Sequence, residues 1–146
     1  MEESLSLLDK IKKTFDCDNV DVRMYSPLTL AFMGDCVFEI VIRSIVVERG
    51  NRQAGSLHKI KSSVVNAKVQ ARMIEALMEE LTEEERAVYK RGRNAKPHTV
   101  AKNASVNDYR KATGLEALFG YLYLSGQEDR IFELTKRGLE LIDITI

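Results

Sequence analysis

Leu28-Thr29-Leu30-Ala31-Phe32-Met33-Gly34-Asp35-Cys36-Val37-Phe38-Glu39-Ile40-Val41 is an almost wholly apolar run with one acid, Asp35, close to its middle. Ser26-Pro27 stands directly before it and reads as a helix start, with Ser26 as N-cap and Pro27 at the first helical position. An ionised carboxylate inside an apolar helix is expensive to bury unless it is paired or coordinates a metal. A second run, Gly114-Leu115-Glu116-Ala117-Leu118-Phe119-Gly120-Tyr121-Leu122-Tyr123-Leu124, repeats the pattern around Glu116. Either acid alone could be structural, bonded to a helix N-terminus or paired with an arginine. Together they point further, because facing helices commonly assemble metal carboxylates. Two apolar helices, each with one inward-looking acid, imply a shared divalent-cation site.

Outward from that core, the Asp35 helix is expected to run to Arg49, with Gly50 as its stop. Upstream, residues 3–15 place Leu5, Leu8, Ile11 and Phe15 on one stripe of an amphipathic helix. A polar break at 16–21 follows. Downstream, 51–55 form a turn, and 56–81 are helical again with a break near Ser62-Ser63. Thr82 and Glu85 make a capping box, opening a helix that ends near Arg91-Gly92. Residues 92–104 show no clear period and read as a long loop, which inside a compact domain is usually functional or disordered. Ser105 caps the Glu116 helix, Ser125-Gly126 ends it, and a last amphipathic helix covers 128–143. β-branched residues fall mainly inside helical periods. The expected fold is all-α, one domain spanning residues 1–146.

The chain has 146 residues, 45% hydrophobic and 30% charged, which suffices for a real core and argues against disorder. Two cysteines far apart, Cys17 and Cys36, and only two histidines argue against zinc fingers and disulfide scaffolds. The N-terminus has no basic region followed by an apolar core, and no apolar run reaches a membrane span. A soluble, cytoplasmic protein is expected. Serine-nucleophile, phosphate-cradling glycine-loop and HExxH signatures are absent.

The net charge is zero, yet the charges are segregated. Arg52–Arg72 holds five Lys/Arg and no acid, Glu75–Glu85 six acids and no base, and Arg86–Lys111 eight Lys/Arg and one acid. Charge runs are normally solvated helix faces. The last basic block differs because it surrounds the irregular loop before the Glu116 helix. Lys90, Arg91, Arg93, Lys96, Lys102, Arg110 and Lys111 can neutralise phosphates, with Asn94 and His98 as extra donors. Glu39, one turn beyond Asp35, also stands four residues before Arg43 and reads mainly as a structural ion pair. Phe32, Phe38, Tyr121 and Tyr123 read as core or interface, and Cys36 as an inert buried thiol.

These residues also carry a family resemblance. Leu30-Ala31-Phe32-Met33-Gly34-Asp35-Cys36-Val37 resembles the signature helix of ribonuclease III domains, and Gly114–Leu124 resembles their second acidic helix. Ser26-Pro27-Leu28, Gly34-Asp35-Cys36-Val37-Phe38-Glu39, Arg91-Gly92-Arg93-Asn94-Ala95-Lys96, Lys102-Asn103-Ala104 and Tyr109-Arg110-Lys111-Ala112-Thr113-Gly114 are similar to the short Mini-ribonuclease III branch, which lacks a double-stranded-RNA-binding domain. The similarity covers about residues 20–140.

The resemblance implies that Asp35 and Glu116 are catalytic, metal-binding acids. It implies Mg²⁺, with Mn²⁺ able to substitute, and hydrolysis of double-stranded RNA to 5′-phosphate and 3′-hydroxyl ends. Phe32 matches the aromatic that plugs into a partner subunit, implying a two-fold homodimer. Two further family acids, one four residues before the signature Asp and one three before the second-helix Glu, are here Ala31 and Thr113. The implied biological task is maturation of 23S ribosomal RNA precursor ends, with ribosomal protein L3 as partner and no membrane. Two rival readings remain at this stage: a catalytically silent RNA-binding or ribosome-associated module of the same fold, and a metal-free helical interaction protein.

Overall fold

Helix α6 (Val106–Leu124) is the axis of the computed structural model, which describes residues 5–95 and 105–146. Its residues from Ala112 to Leu122 are buried on every side except at Glu116. A helix apolar all round is stable only inside a shell of other elements. That shell is α2 (Pro27–Arg49), α4 (Ala67–Leu77) and α5 (Glu83–Asn94), all packed on α6, with α7 (Glu128–Leu141) closing over α4. Helix α1 (Leu7–Thr14) and helix α3 (Ala54–Ser62) lie at the periphery and bury no residue fully. No strand occurs among the described residues, so the all-α expectation holds.

The caps follow the sequence. The Ser26 hydroxyl accepts from Thr29 N–H at 3.2 Å, and Pro27 occupies the first turn, where a missing donor costs nothing. Thr82 and Glu85 close both bonds of the expected capping box, at 3.1 and 2.9 Å. The Ser105 hydroxyl accepts from Asp108 N–H at 3.0 Å and starts α6. The break near Ser63 becomes a short connection in which Asn66 caps α4 by accepting from Val69 N–H at 2.9 Å.

Several boundaries differ from expectation: α4 ends at Leu77 rather than 81 and α7 at Leu141 rather than 143, and three others have a visible cause. α1 begins at Leu7, where the Ser6–Asp9 capping box fixes it, rather than at residue 3. α3 starts at Ala54, inside the expected turn. α5 continues to Asn94, because Gly92 is buried against α6 and is a packing residue there, not a stop.

The core runs from α2 through α6 to α4 and α7. Phe38 and Phe119, both fully buried, meet edge-to-face with centroids 5.7 Å apart. Ile42, Met73, Ile74, Leu77, Leu118, Leu122, Ile131 and Leu134 fill the remainder. α5 is tied to α7 by Glu85, which accepts from Arg130 Nε at 2.9 Å while completing its own cap.

Candidate active site

Asp35 and Glu116 are brought together by two glycines. A Cβ placed on Gly34 would lie 1.6 Å from the Glu116 carbonyl oxygen, and one on Gly120 would lie 1.9 Å from the Leu30 carbonyl oxygen. The α2 and α6 backbones therefore touch, an approach that only residues without a side chain permit. Asp35 directly follows Gly34, and Glu116 stands one turn before Gly120. The crossing thus sets the two carboxyl groups side by side.

Sequence reasoning expected both acids to look inward. Glu116 is half-buried, but Asp35 lies on the exposed face of α2. The reason is that α2 is apolar on two faces. Leu30, Ala31, Val37, Phe38, Ile42 and Val46 face the core, while Phe32 is 81% exposed and Ile40 and Val47 are also exposed. Cys36, expected as a buried thiol, is exposed on the same outer side.

The Glu116 carboxyl is pushed up to about 9, first by burial and then by the adjacent Asp35 carboxylate. Two acids that repel each other in a half-buried cleft fit a hard divalent cation, which prefers oxygen donors and reverses this repulsion. Among the described residues no cluster of three or more His, Cys, Asp or Glu converges on a common point. Ala31 is buried, and the buried Thr113 spends its hydroxyl on the Tyr109 carbonyl at 3.0 Å. Neither supplies a carboxylate at the centre.

Glu39 shares a pocket of about 410 Å³ with Asp35, Phe32, Met33 and Cys36. Its pairing with Arg43 is present at 2.9 Å, and Lys61 of α3 joins on the same oxygen at 3.1 Å. Burial alone would lift Glu39, but the bonds from Lys61 and Arg43 outweigh it and hold the carboxyl below its ordinary value. Lys61 was legible only as part of a basic run; no local spacing marks it as a partner of Glu39. A larger groove of about 850 Å³ lies between α2 and α7, and none of Asp35, Glu39 and Glu116 lines it.

The basic candidates divide by environment. Lys90, Arg91, Asn94 and Arg110 are exposed near the facing ends of α5 and α6. Arg93 is half-buried, its guanidinium 5.6 Å from the centroid of the Tyr89 ring and its Nε 3.3 Å from Asn94 Oδ1. Lys111 is paired with Glu75 of α4, a partner that sequence separation concealed. Lys96, His98 and Lys102 lie outside the described residues. No helix among the described residues is long and apolar enough to cross a membrane.

An α-helical core in which two glycine-crossed helices present one acid each defines a ribonuclease-III-type endonuclease domain. The sequence profile of the Ribonuclease III domain matches residues 28–127, and the chain belongs to that family. It is an endoribonuclease of the ribonuclease III type, a family that acts on double-stranded RNA and is generally dependent on divalent metal. Within the family the chain is similar to Mini-ribonuclease 3 of Enterococcus faecalis, at 48% identity over 78% of this chain and 88% of that one. It is also similar to Mini-ribonuclease 3 of Brevibacillus brevis, at 45% identity over 84% of this chain and 92% of that one. A crystal structure of a Fusobacterium nucleatum protein superposes with a TM-score of 0.76 at 33% identity, covering 83% of this chain and 98% of the other.

Proposed function

We propose that Asp35 and Glu116 hold the catalytic cation of an endoribonuclease that cuts double-stranded RNA, and that the cation is Mg²⁺, with Mn²⁺ able to replace it. The observation that supports this most directly is the forced pairing of the two carboxyl groups across the Gly34–Gly120 crossing. When bound, the cation supplies Lewis-acid stabilisation and a nucleophilic water for phosphodiester hydrolysis, leaving a 5′-phosphate and a 3′-hydroxyl. The protein's part is to fix both carboxylates before substrate arrives. Asp35, on the exposed side, would hold the cation where the scissile phosphate can reach it; Glu116, half-buried and set on α6, would fix the position of the centre.

Lys90, Arg91, Arg93, Asn94 and Arg110 line the route by which the duplex backbone approaches, with Lys111, Lys96, Lys102 and His98 as the remaining candidates. Recognition rests on phosphate contacts and on the shape of the A-form minor groove. Phe32, 81% exposed beside Asp35, is the anchor of a two-fold homodimer that carries one site per subunit. The proposed natural substrate is the 23S ribosomal RNA precursor, matured in the cytoplasm with ribosomal protein L3 as partner.

The test is cleavage of a long RNA duplex in Mg²⁺ or EDTA by wild type, Asp35→Asn and Glu116→Gln. Mg²⁺-dependent cutting lost in both variants, with the fold retained, is expected. Cutting by either variant at the wild-type rate overturns the shared centre.

A further inference from the structure

A two-fold contact through Phe32 needs more surface than its own stripe supplies. On the outer side of α2, Phe32, Cys36 and Ile40 follow one another at one-turn intervals. Burying an aromatic ring removes about 150–250 Å² from water, and Cys36 and Ile40 are smaller side chains. A stable dimer buries roughly 800 Å² per subunit. The contact must therefore extend sideways, and the flanks of the stripe decide the direction. One flank carries Asp35, Glu39 and Arg43, with Arg43 and Lys61 both held by Glu39. Charged groups are depleted from the centres of interfaces. The other flank is apolar. Ile40 itself lines the groove of about 850 Å³ between α2 and α7, together with Val41, Ile45 and Phe132.

Helix α1 borders the same groove, and its Leu7 is part of the lining. Leu7, Ile11 and Phe15 recur every four residues and so share one face of α1. All three are exposed, Phe15 at 73%. The Ser6–Asp9 box caps the helix well, yet eight residues are too few to hold a helix in water without packing. No residue of α1 is fully buried. The helix also precedes residue 28, where the match to the Ribonuclease III domain begins. It is an amphipathic addition to the domain, and its own subunit leaves its apolar face open.

We propose that a second copy of the chain covers this surface and that α1 is its arm: Leu7, Ile11 and Phe15 of each subunit pack on the partner. This rests on the reading of the protein as a two-fold homodimer. In a two-fold contact the same patch serves both subunits, so every residue of the patch counts twice. Ile40 joins the Phe32 stripe to the groove, and Leu7 joins the groove to α1, which makes the apolar surface continuous. Phe132, half-exposed on the α7 wall, supplies part of the area that the stripe lacks.

The experiment is sedimentation equilibrium of the full chain over a wide concentration range, with the alkylation rate of Cys36 measured at both ends of that range. Wild type, I11A/F15A, F132A and V106A are compared. I11A/F15A is expected to raise the dimer dissociation constant by at least about 30-fold, because each dimer loses four side chains from its contact. F132A is expected to raise it by roughly tenfold. Val106, exposed at the start of α6, lines neither the groove nor the stripe, and V106A should match wild type. Cys36 should react more slowly in the dimer than in the monomer. A wild-type constant in I11A/F15A overturns the arm, and one in F132A overturns the covering of the groove. If Cys36 is still protected in those cases, the two-fold reading itself stands. A wild-type chain that stays monomeric at every concentration removes that reading and the second copy with it. Should I11A/F15A unfold α1 altogether, the arm is lost all the same and the expected rise is unchanged.

Discussion

Gly34 and Gly120 face each other across the α2–α6 crossing, and a Cβ on either would fall within 3.0 Å of the other's backbone nitrogen. Asp35 and Glu116 inherit their placement from this contact. The placement of the two acids therefore depends on two residues that have no side chain of their own.

Gly34→Ala and Gly120→Ala should each cost at least about 3 kcal/mol, since a methyl group would have to displace a packed backbone, not a flexible side-chain tip. Gly55→Ala is the internal control. It lies in helix α3 with nothing within 4 Å, and should stabilise by up to about 0.5 kcal/mol through helix propensity alone. Chemical denaturation of the three variants distinguishes close packing from a general intolerance of alanine. If Gly34→Ala were as stable as wild type, the contact that aligns the two acids would not exist in solution.

Much of this arrangement was legible in the sequence, for local reasons. Ser26-Pro27, Thr82 with Glu85, and Ser105 each act within one helical turn, so the starts of α2, α5 and α6 could be read directly. The family motifs singled out Asp35 and Glu116. What could not be read depends on which face of a helix meets what. The apolar run around Asp35 looked like one buried face but serves two, so Asp35 and Cys36 came out exposed. Gly92 looked like a helix stop, but its missing side chain makes room for Ala117 and Gly114. The Lys61–Glu39 and Lys111–Glu75 pairs span 22 and 36 positions, and nothing in local spacing announces them.

Glu85 gives the fold a defined acid sensitivity. Burial alone would raise its carboxyl, but bonds from Arg130 and from the Thr82 N–H outweigh it and hold it below the ordinary value of 4.5. A depressed folded-state pKa adds stability above the unfolded value and loses it as pH falls through the folded one. Glu85→Gln should therefore destabilise by about 2–3 kcal/mol at neutral pH, at the low end for a broken buried pair because Arg130 keeps some access to water. The gap to wild type should narrow as pH falls below 4.5. Urea titrations at neutral and acidic pH measure both quantities. A gap independent of pH would assign the loss to packing, not to charge.

Lys111 illustrates how pairing tempers a basic residue. Glu75 holds its ammonium, whereas Lys90, Arg91 and Arg110 are exposed. Lys111→Ala should change duplex affinity little. Arg91→Ala and Arg110→Ala should each weaken it and reduce the slope of log affinity against log salt by up to about 1. Glu75→Gln should act in the opposite direction, releasing Lys111 and removing a nearby anion, so that affinity rises most at low salt. Binding isotherms at several salt concentrations, with EDTA present to prevent cleavage, read all four variants. Equal slopes for Lys111→Ala and Arg91→Ala would mean that RNA displaces Glu75 without penalty.

Phe32 is the most exposed large apolar side chain of the chain's described residues, and it stands on the outer face of α2 with Cys36 and Ile40 at one-turn intervals. An aromatic ring held in water on a rigid helix beside the acids is a cost that a second subunit can remove. Burying it should contribute on the order of 3 kcal/mol per subunit. In a two-fold dimer the ring counts twice, so Phe32→Ala should raise the dimer dissociation constant by more than about 100-fold. Phe32→Glu should go further, since it would also bury an unpaired charge. Sedimentation equilibrium across a range of concentrations measures the shift, and circular dichroism checks that the helices persist. Because each subunit carries its own Asp35 and Glu116, the monomeric variant should still bind Mn²⁺ while losing coordinated cutting of both strands. A Phe32→Glu protein that remains dimeric at low concentration would move the interface elsewhere, and the apolar groove between α2 and α7 would become the next surface to probe.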